Sequence, residues 1–106
     1  MATTPEGKVK DRIKALLKEF EPRVYYFMPQ MGGFGKSGVP DIVACANGVF
    51  VGIEVKADKS KNPPTALQEK NLNEIWAAGG VSLVIDAHDI ETLRSVLVSL
   101  TESKDG

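Results

Sequence analysis

Asp41-Ile42-Val43-Ala44-Cys45-Ala46-Asn47-Gly48-Val49-Phe50-Val51-Gly52-Ile53-Glu54-Val55-Lys56 is the stretch on which the fold turns. Asn47-Gly48 is a strong two-residue hairpin signal, because both turn positions favour residues that tolerate positive φ. The segments on either side, Asp41 to Ala46 and Val49 to Lys56, read as the two antiparallel strands. Residues two apart on a strand share a face. Glu54 and Lys56 therefore project together, while Val51, Ile53 and Val55 turn to the core. Asp41 lies as far before the turn as Glu54 lies after it. Pairing brings two carboxylates and one ammonium to one end of the sheet.

Outward from the hairpin, the periodicity changes to helical. Thr3 or Thr4, then Pro5 and Glu6, is a helix start. Val9, Ile13, Leu16, Leu17 and Phe20 repeat at helical spacing and stop near Glu21-Pro22. Val24 to Met28 suits a strand, and a loop from Pro29 to Val39 carries Gly32, Gly33, Gly35 and Gly38. After a polar loop from Asp58 to Pro64, Thr65 starts a second helix buried through Leu72, Ile75 and Trp76, ended by Gly79-Gly80. Val81 to Ile85 is a fourth strand. Asp89 caps a last helix buried through Leu93, Val96, Leu97 and Leu100, and residues 101–106 are expected to fray. The order α-β-β-β-α-β-α indicates an α/β domain, a mixed sheet flanked by helices.

Composition limits what such a domain does. The 106 residues suit one domain, residues 1–106, with 42% hydrophobic and 25% charged residues. No apolar run is long enough to span a membrane, and no secretory segment opens the chain. A single cysteine excludes an internal disulfide, so an intracellular setting is expected. Cys45 reads as a buried small apolar residue, not a nucleophile. A single histidine, His88, excludes a His-rich zinc site and reads as a surface or capping residue before the last helix. The net charge of -1 does not announce a nucleic-acid binder, although Lys56, Lys59 and Lys61 gather in mid-chain.

The chemistry rests on Asp41, Glu54 and Lys56. Two close carboxylates repel, and a cation relieves the cost. Magnesium suits such a pair, since it takes oxygen ligands, keeps several waters and accepts substrate phosphate. A neighbouring lysine can orient or deprotonate a water, or stabilise charge on phosphorus oxygens. The competing account is a solvated Glu54–Lys56 salt bridge, disfavoured by so apolar a strand. Glu6 shares a helical stripe with Val9, Ile13, Leu17 and Phe20, so it is either a site carboxylate or a capping-box partner of Thr3. Gln68 shares the face of Leu72 and Ile75, and is either a site residue or the capping-box partner of Thr65. Gly35-Lys36-Ser37 resembles the end of a phosphate-binding P-loop, but Gln30 stands where that motif requires glycine. A loop that admits a phosphate backbone, with Lys36 as a contact, fits better.

Glu6, Gly38-Val39-Pro40-Asp41, Glu54-Val55-Lys56, Thr65-x-x-Gln68 and Gly79-Gly80, in this order, resemble the PD-(D/E)xK nuclease superfamily, and within it the stand-alone VRR-NUC domains. The resemblance implies a restriction-endonuclease-like core and a metal-dependent endodeoxyribonuclease. It implies that Asp41, Glu54 and the backbone carbonyl of Val55 bind Mg²⁺ or Mn²⁺. Lys56 is then catalytic, with Glu6 and Gln68 supporting the site. It further implies a homodimer, similar to archaeal Holliday junction resolvases and often phage or prophage encoded, acting on branched or four-way DNA. Lys36, Lys59 and Lys61 are the candidate DNA contacts. The alternative is a non-catalytic nucleic-acid-binding module that keeps the fold.

Overall fold

The computed structural model describes residues 3–30 and 35–102. Gly32 and Gly33 of the glycine loop, and the last four residues of the chain, lie outside them. The element order is α1 (Pro5–Glu19), β1 (Val24–Phe27), β2 (Ile42–Ala46), β3 (Val49–Val55), α2 (Ala66–Ala77), β4 (Val81–Ile85), a 3-10 turn (Ala87–Asp89) and α3 (Ile90–Thr101). The strands form one sheet in the order β1-β2-β3-β4, antiparallel except for the parallel β3–β4 pair. A parallel neighbour needs a crossover, and α2 supplies it.

The hairpin forms as its turn residues require: Asn47 and Gly48 both adopt positive φ, 52° and 92°. Ile42 pairs with Ile53 at the far end. One step further along the same register, Asp41 stands opposite Glu54. Each strand ends one residue short of the expected limit, so Asp41 and Lys56 lie just beyond the ladder.

Strand alternation divides the sheet into two unlike faces. Val24, Ile42, Ala44, Ala46, Val51, Ile53, Val55 and Ile85 join Val9, Ile13, Leu16 and Leu17 of α1 and Ile90, Leu93 and Leu97 of α3 in one buried cluster. The main core therefore lies between the sheet and the α1–α3 pair. On the other face α2 packs over β3 and β4. Its approach is close at Gly52, where a Cβ would stand 2.7 Å from Ile75 Cδ1 and 2.9 Å from Pro40 Cγ. Only glycine leaves room there for helix and loop together.

Thr4 caps α1, its hydroxyl accepting from the Gly7 amide at 3.0 Å, with Pro5 first in the helix. The cap partner is thus Gly7, and no capping box joins Glu6 to Thr3. Cys45 is exposed, contrary to the buried reading. It points away from the core between Ala44 and Ala46, at a part of the sheet that α2 does not cover. Trp76 is also exposed, not buried: it stands at the sheet edge, where its indole N–H donates to the Ser82 carbonyl at 3.2 Å. α3 runs into the stretch expected to fray, because buried Thr101 donates its hydroxyl to Leu97 O and its carbonyl accepts from Arg23. Asp89 caps no helix through its side chain. Its carboxylate accepts from the Asp86 amide within the 3-10 turn. No helix among the described residues is long and apolar enough to cross a membrane.

Candidate active site

Past the end of the β2–β3 ladder the backbone changes its partners. The next register step would pair Val55 with Pro40, but proline has no amide hydrogen to give the Val55 carbonyl. The Val55 amide donates to Asp41 Oδ2 at 2.8 Å. A strand residue's N–H and C=O leave on the same side, so the Val55 carbonyl emerges beside Asp41. Lys56, one residue on, turns the opposite way and donates its amide to Ile85 O of β4 at 3.0 Å. Both bonds fix the strand end that carries the candidate residues.

Glu54 is 2% exposed and Lys56 7%, with Lys56 Nζ 3.6 Å from Glu54 Oε2. This is a buried ion pair and not a solvated one. The Lys56 ammonium also donates to Gln68 Oε1 at 3.1 Å. That same oxygen accepts from the Thr65 amide at 2.9 Å, while Thr65 Oγ1 accepts from the Gln68 amide at 3.2 Å. Gln68 therefore closes the capping box of α2, and the same side-chain oxygen also holds the Lys56 ammonium. Gln68→Ala is expected to cost about 1 kcal/mol in urea denaturation. It also frees Lys56, and cleavage is expected to fall about tenfold. Thr65→Ala, which removes the cap alone, tests the separation: similar destabilisation with cleavage within about twofold of wild type.

Burial and the neighbouring Asp41 charge push the Glu54 pKa up to about 7, against the opposing pull of Lys56. The Asp41 charge acts directly on Glu54, and two neighbouring carboxylates repel. A divalent cation between them can relieve that repulsion. Two carboxylates with an adjacent main-chain carbonyl form an all-oxygen donor set of the kind Mg²⁺ accepts while retaining water. The residues present fit the ion.

Glu6 is half-buried in the first turn of α1. Among the described residues no three acidic, histidine or cysteine side chains gather where they could hold a metal. The candidate phosphate contacts are partly engaged. Lys36 pairs with Glu74 at 3.2 Å and Lys59 with Asp89 at 2.9 Å, while Lys61 is exposed in the same loop as Lys59.

Two supporting residues were not singled out in the sequence. Buried Asn71 donates to Ser37 O at 3.1 Å and Leu67 O at 3.0 Å, tying the loop that leads to Asp41 onto α2. Its signal was a polar residue on the stripe of Gln68, Leu72 and Ile75. Buried Asp86 accepts from the amides of Lys59 at 3.0 Å and His88 at 2.9 Å, so it pins the loop after Lys56 to the end of β4. The Lys59 amide is the largest cause holding its pKa down at about 2. Asp86-x-x-Asp89 has capping-box spacing, and that was its signal. His88 is exposed, as expected.

Fold and site together define an α/β domain whose sheet end carries an acidic pair backed by a buried lysine. No family model matches the chain, and no curated protein or solved structure matches it.

Proposed function

We propose that this chain is a metal-dependent nuclease that hydrolyses DNA phosphodiester bonds, a VRR-NUC-like member of the PD-(D/E)xK superfamily working inside the cell on branched or four-way DNA. The observation that carries the reading is the Asp41–Glu54 pair, in which burial and the Asp41 charge push the Glu54 pKa up to about 7, with Lys56 buried against it. A surface salt bridge needs neither the burial nor the second carboxylate.

Asp41, Glu54 and the Val55 carbonyl would hold Mg²⁺ or Mn²⁺. The bound ion supplies a polarised phosphoryl oxygen and a water of lowered pKa. Lys56 has three ammonium donors. Glu54 and Gln68 take two directions, and the remaining one can face the attacking water or a phosphate oxygen. Its charge opposes the negative charge that grows on the phosphate oxygens as water adds and the ester P–O bond breaks. Val55 holds Asp41 through its amide, so the acidic pair is set before substrate arrives. Lys61 is a backbone contact as it stands, and Lys36 and Lys59 join it by leaving Glu74 and Asp89.

Purified protein incubated with linear, flap and four-way DNA in Mg²⁺, Mn²⁺ or EDTA tests the reading. Cutting with metal and none in EDTA is expected, strongest on the branched substrates. Binding of the same DNA without cutting in either metal would instead identify a non-catalytic nucleic-acid-binding module.

A further inference from the structure

On the exposed side of α2 two lysines converge on one carboxylate. Lys36 Nζ lies 3.2 Å from Glu74 Oε1, and Lys70 Nζ lies 3.1 Å from Glu74 Oε2. Lys70 and Glu74 stand one turn apart on α2, while Lys36 reaches them from the loop before β2. A buried contact sets this meeting. Asn71, 5% exposed, donates to the Ser37 carbonyl at 3.1 Å, so the chain neighbours Lys70 and Lys36 are fixed side by side. Gly38, at φ 77°, lies so close to α2 that a Cβ there would stand 2.6 Å from Leu67 Cγ and 2.9 Å from Asn71 Nδ2. The backbone that carries Lys36 is thus seated on the helix.

A carboxylate between two ammonium groups stands where a DNA phosphate would: one anionic group with two oxygens, each facing a cation. Both ion pairs are exposed, Lys36 by 65%, Lys70 by 68% and Glu74 by 47%, so water and salt weaken them. Lysine four residues before glutamate is also the less favourable order along a helix. An arriving phosphate can therefore take both lysines from Glu74. The position suits the substrate. Asp41 follows Lys36 by five residues, at most about 17 Å of chain, which one DNA strand covers in about five phosphates. A single backbone can rest on the lysine pair and still present a phosphate to the acidic pair. With a net charge of -1, the domain has no overall field to hold DNA and depends on local cations.

We propose that Lys36 and Lys70 form a DNA-phosphate site that Glu74 occupies until the substrate displaces it, so that Glu74 holds the affinity for DNA down. This rests on the DNA binding that the nuclease reading requires and not on catalysis.

Fluorescence anisotropy of labelled four-way and linear DNA over a salt series, in EDTA, is the test. Glu74→Gln is expected to tighten binding about fivefold, since two exposed ion pairs no longer hold the lysines. Lys70→Ala is expected to weaken binding and to reduce the slope of log K against log salt by about 1, the loss of one phosphate contact. The same lysine change should weaken binding further in the Glu74→Gln background than in the wild type, because there the lysine meets DNA unopposed. Glu91→Gln is the control: it makes the same change in net charge on α3, across the sheet, where Glu91 lies 3.5 Å from Arg94. Its binding should stay within about twofold of wild type, since charges that far from the site are screened. All of these side chains are exposed, so circular dichroism should not change. Equal tightening by Glu74→Gln and Glu91→Gln overturns the proposal, because net charge alone would then explain it. Unchanged affinity in Glu74→Gln, or an unchanged salt slope in Lys70→Ala, overturns it as well. Mg²⁺-dependent cutting of the four-way substrate by the same wild-type preparation keeps the two readings apart. Cutting beside unresponsive variants removes the lysine site and leaves the nuclease. Responsive variants without cutting uphold the site on a protein that binds DNA and does not hydrolyse it.

Discussion

Lys56→Met is expected to lower Mg²⁺-dependent cleavage by about three orders of magnitude, the scale on which loss of a single charge-stabilising donor acts. Methionine keeps the buried stem and removes only the ammonium. Lys56→Arg is not expected to rescue, because a planar fork cannot occupy the place of a compact charge between Glu54 and Gln68. Removing the cation leaves Glu54 buried without its partner, yet the protein has a release: the carboxyl already titrates near 7 and takes up a proton rather than staying charged. Folding therefore survives. Asp41→Asn makes the companion case. An amide oxygen can still accept the Val55 N–H, so the strand end keeps its shape while half the anionic charge is gone. Cleavage should fall as far as in Lys56→Met, with a normal circular dichroism spectrum. Initial rates on a four-way substrate measure both. Activity within about tenfold of wild type in either variant would remove that residue from the chemistry.

The hairpin explains why so much of this site's geometry is legible in the sequence. Asn47-Gly48 sets the register, and period-two alternation then fixes which side chains meet across it. Asp41, Glu54 and Lys56 needed nothing more than counting. The errors arose where the deciding contact lies between elements distant in sequence. Cys45 and Trp76 have the composition of core residues, but burial depends on how far α2 extends over the sheet, and periodicity does not report that. Glu6 lies on the helical stripe of Val9, Ile13 and Leu17, which are buried. What stands at the end of that stripe is a tertiary fact. Gln68 reads equally as cap or site because a short signature can serve two purposes, and one oxygen here accepts from both Thr65 and Lys56.

The second large effect is a stability that depends on pH and metal together, and it can be measured without any DNA. Glu54 has an ordinary carboxyl pKa of 4.5, raised to about 7 in the folded protein by burial and by Asp41. The folded state thus binds the proton more tightly than the unfolded chain. Below pH 4.5 both states are protonated and the contribution to stability is fully present. Between 4.5 and 7 the unfolded chain has released its proton while the folded protein has not, so stability falls as pH rises, and above 7 it is lost. The total is on the order of 3 kcal/mol. Asp86 works in the opposite sense, since its depressed pKa makes stability fall only as pH drops through about 4 to 2. The two windows do not overlap. In EDTA the melting temperature should therefore decline from pH 5 to pH 8. Mg²⁺ should reverse most of that decline, because a cation between Asp41 and Glu54 stabilises the ionised carboxylate against both its burial and the Asp41 charge, and it binds the folded state alone. Glu54→Gln should abolish both effects and leave the metal-free protein more stable than wild type at pH 8. A wild-type melting curve that ignores Mg²⁺ at pH 8, alongside a Glu54→Gln curve that matches it, would mean that the acidic pair carries neither the strain nor the metal affinity assigned to it.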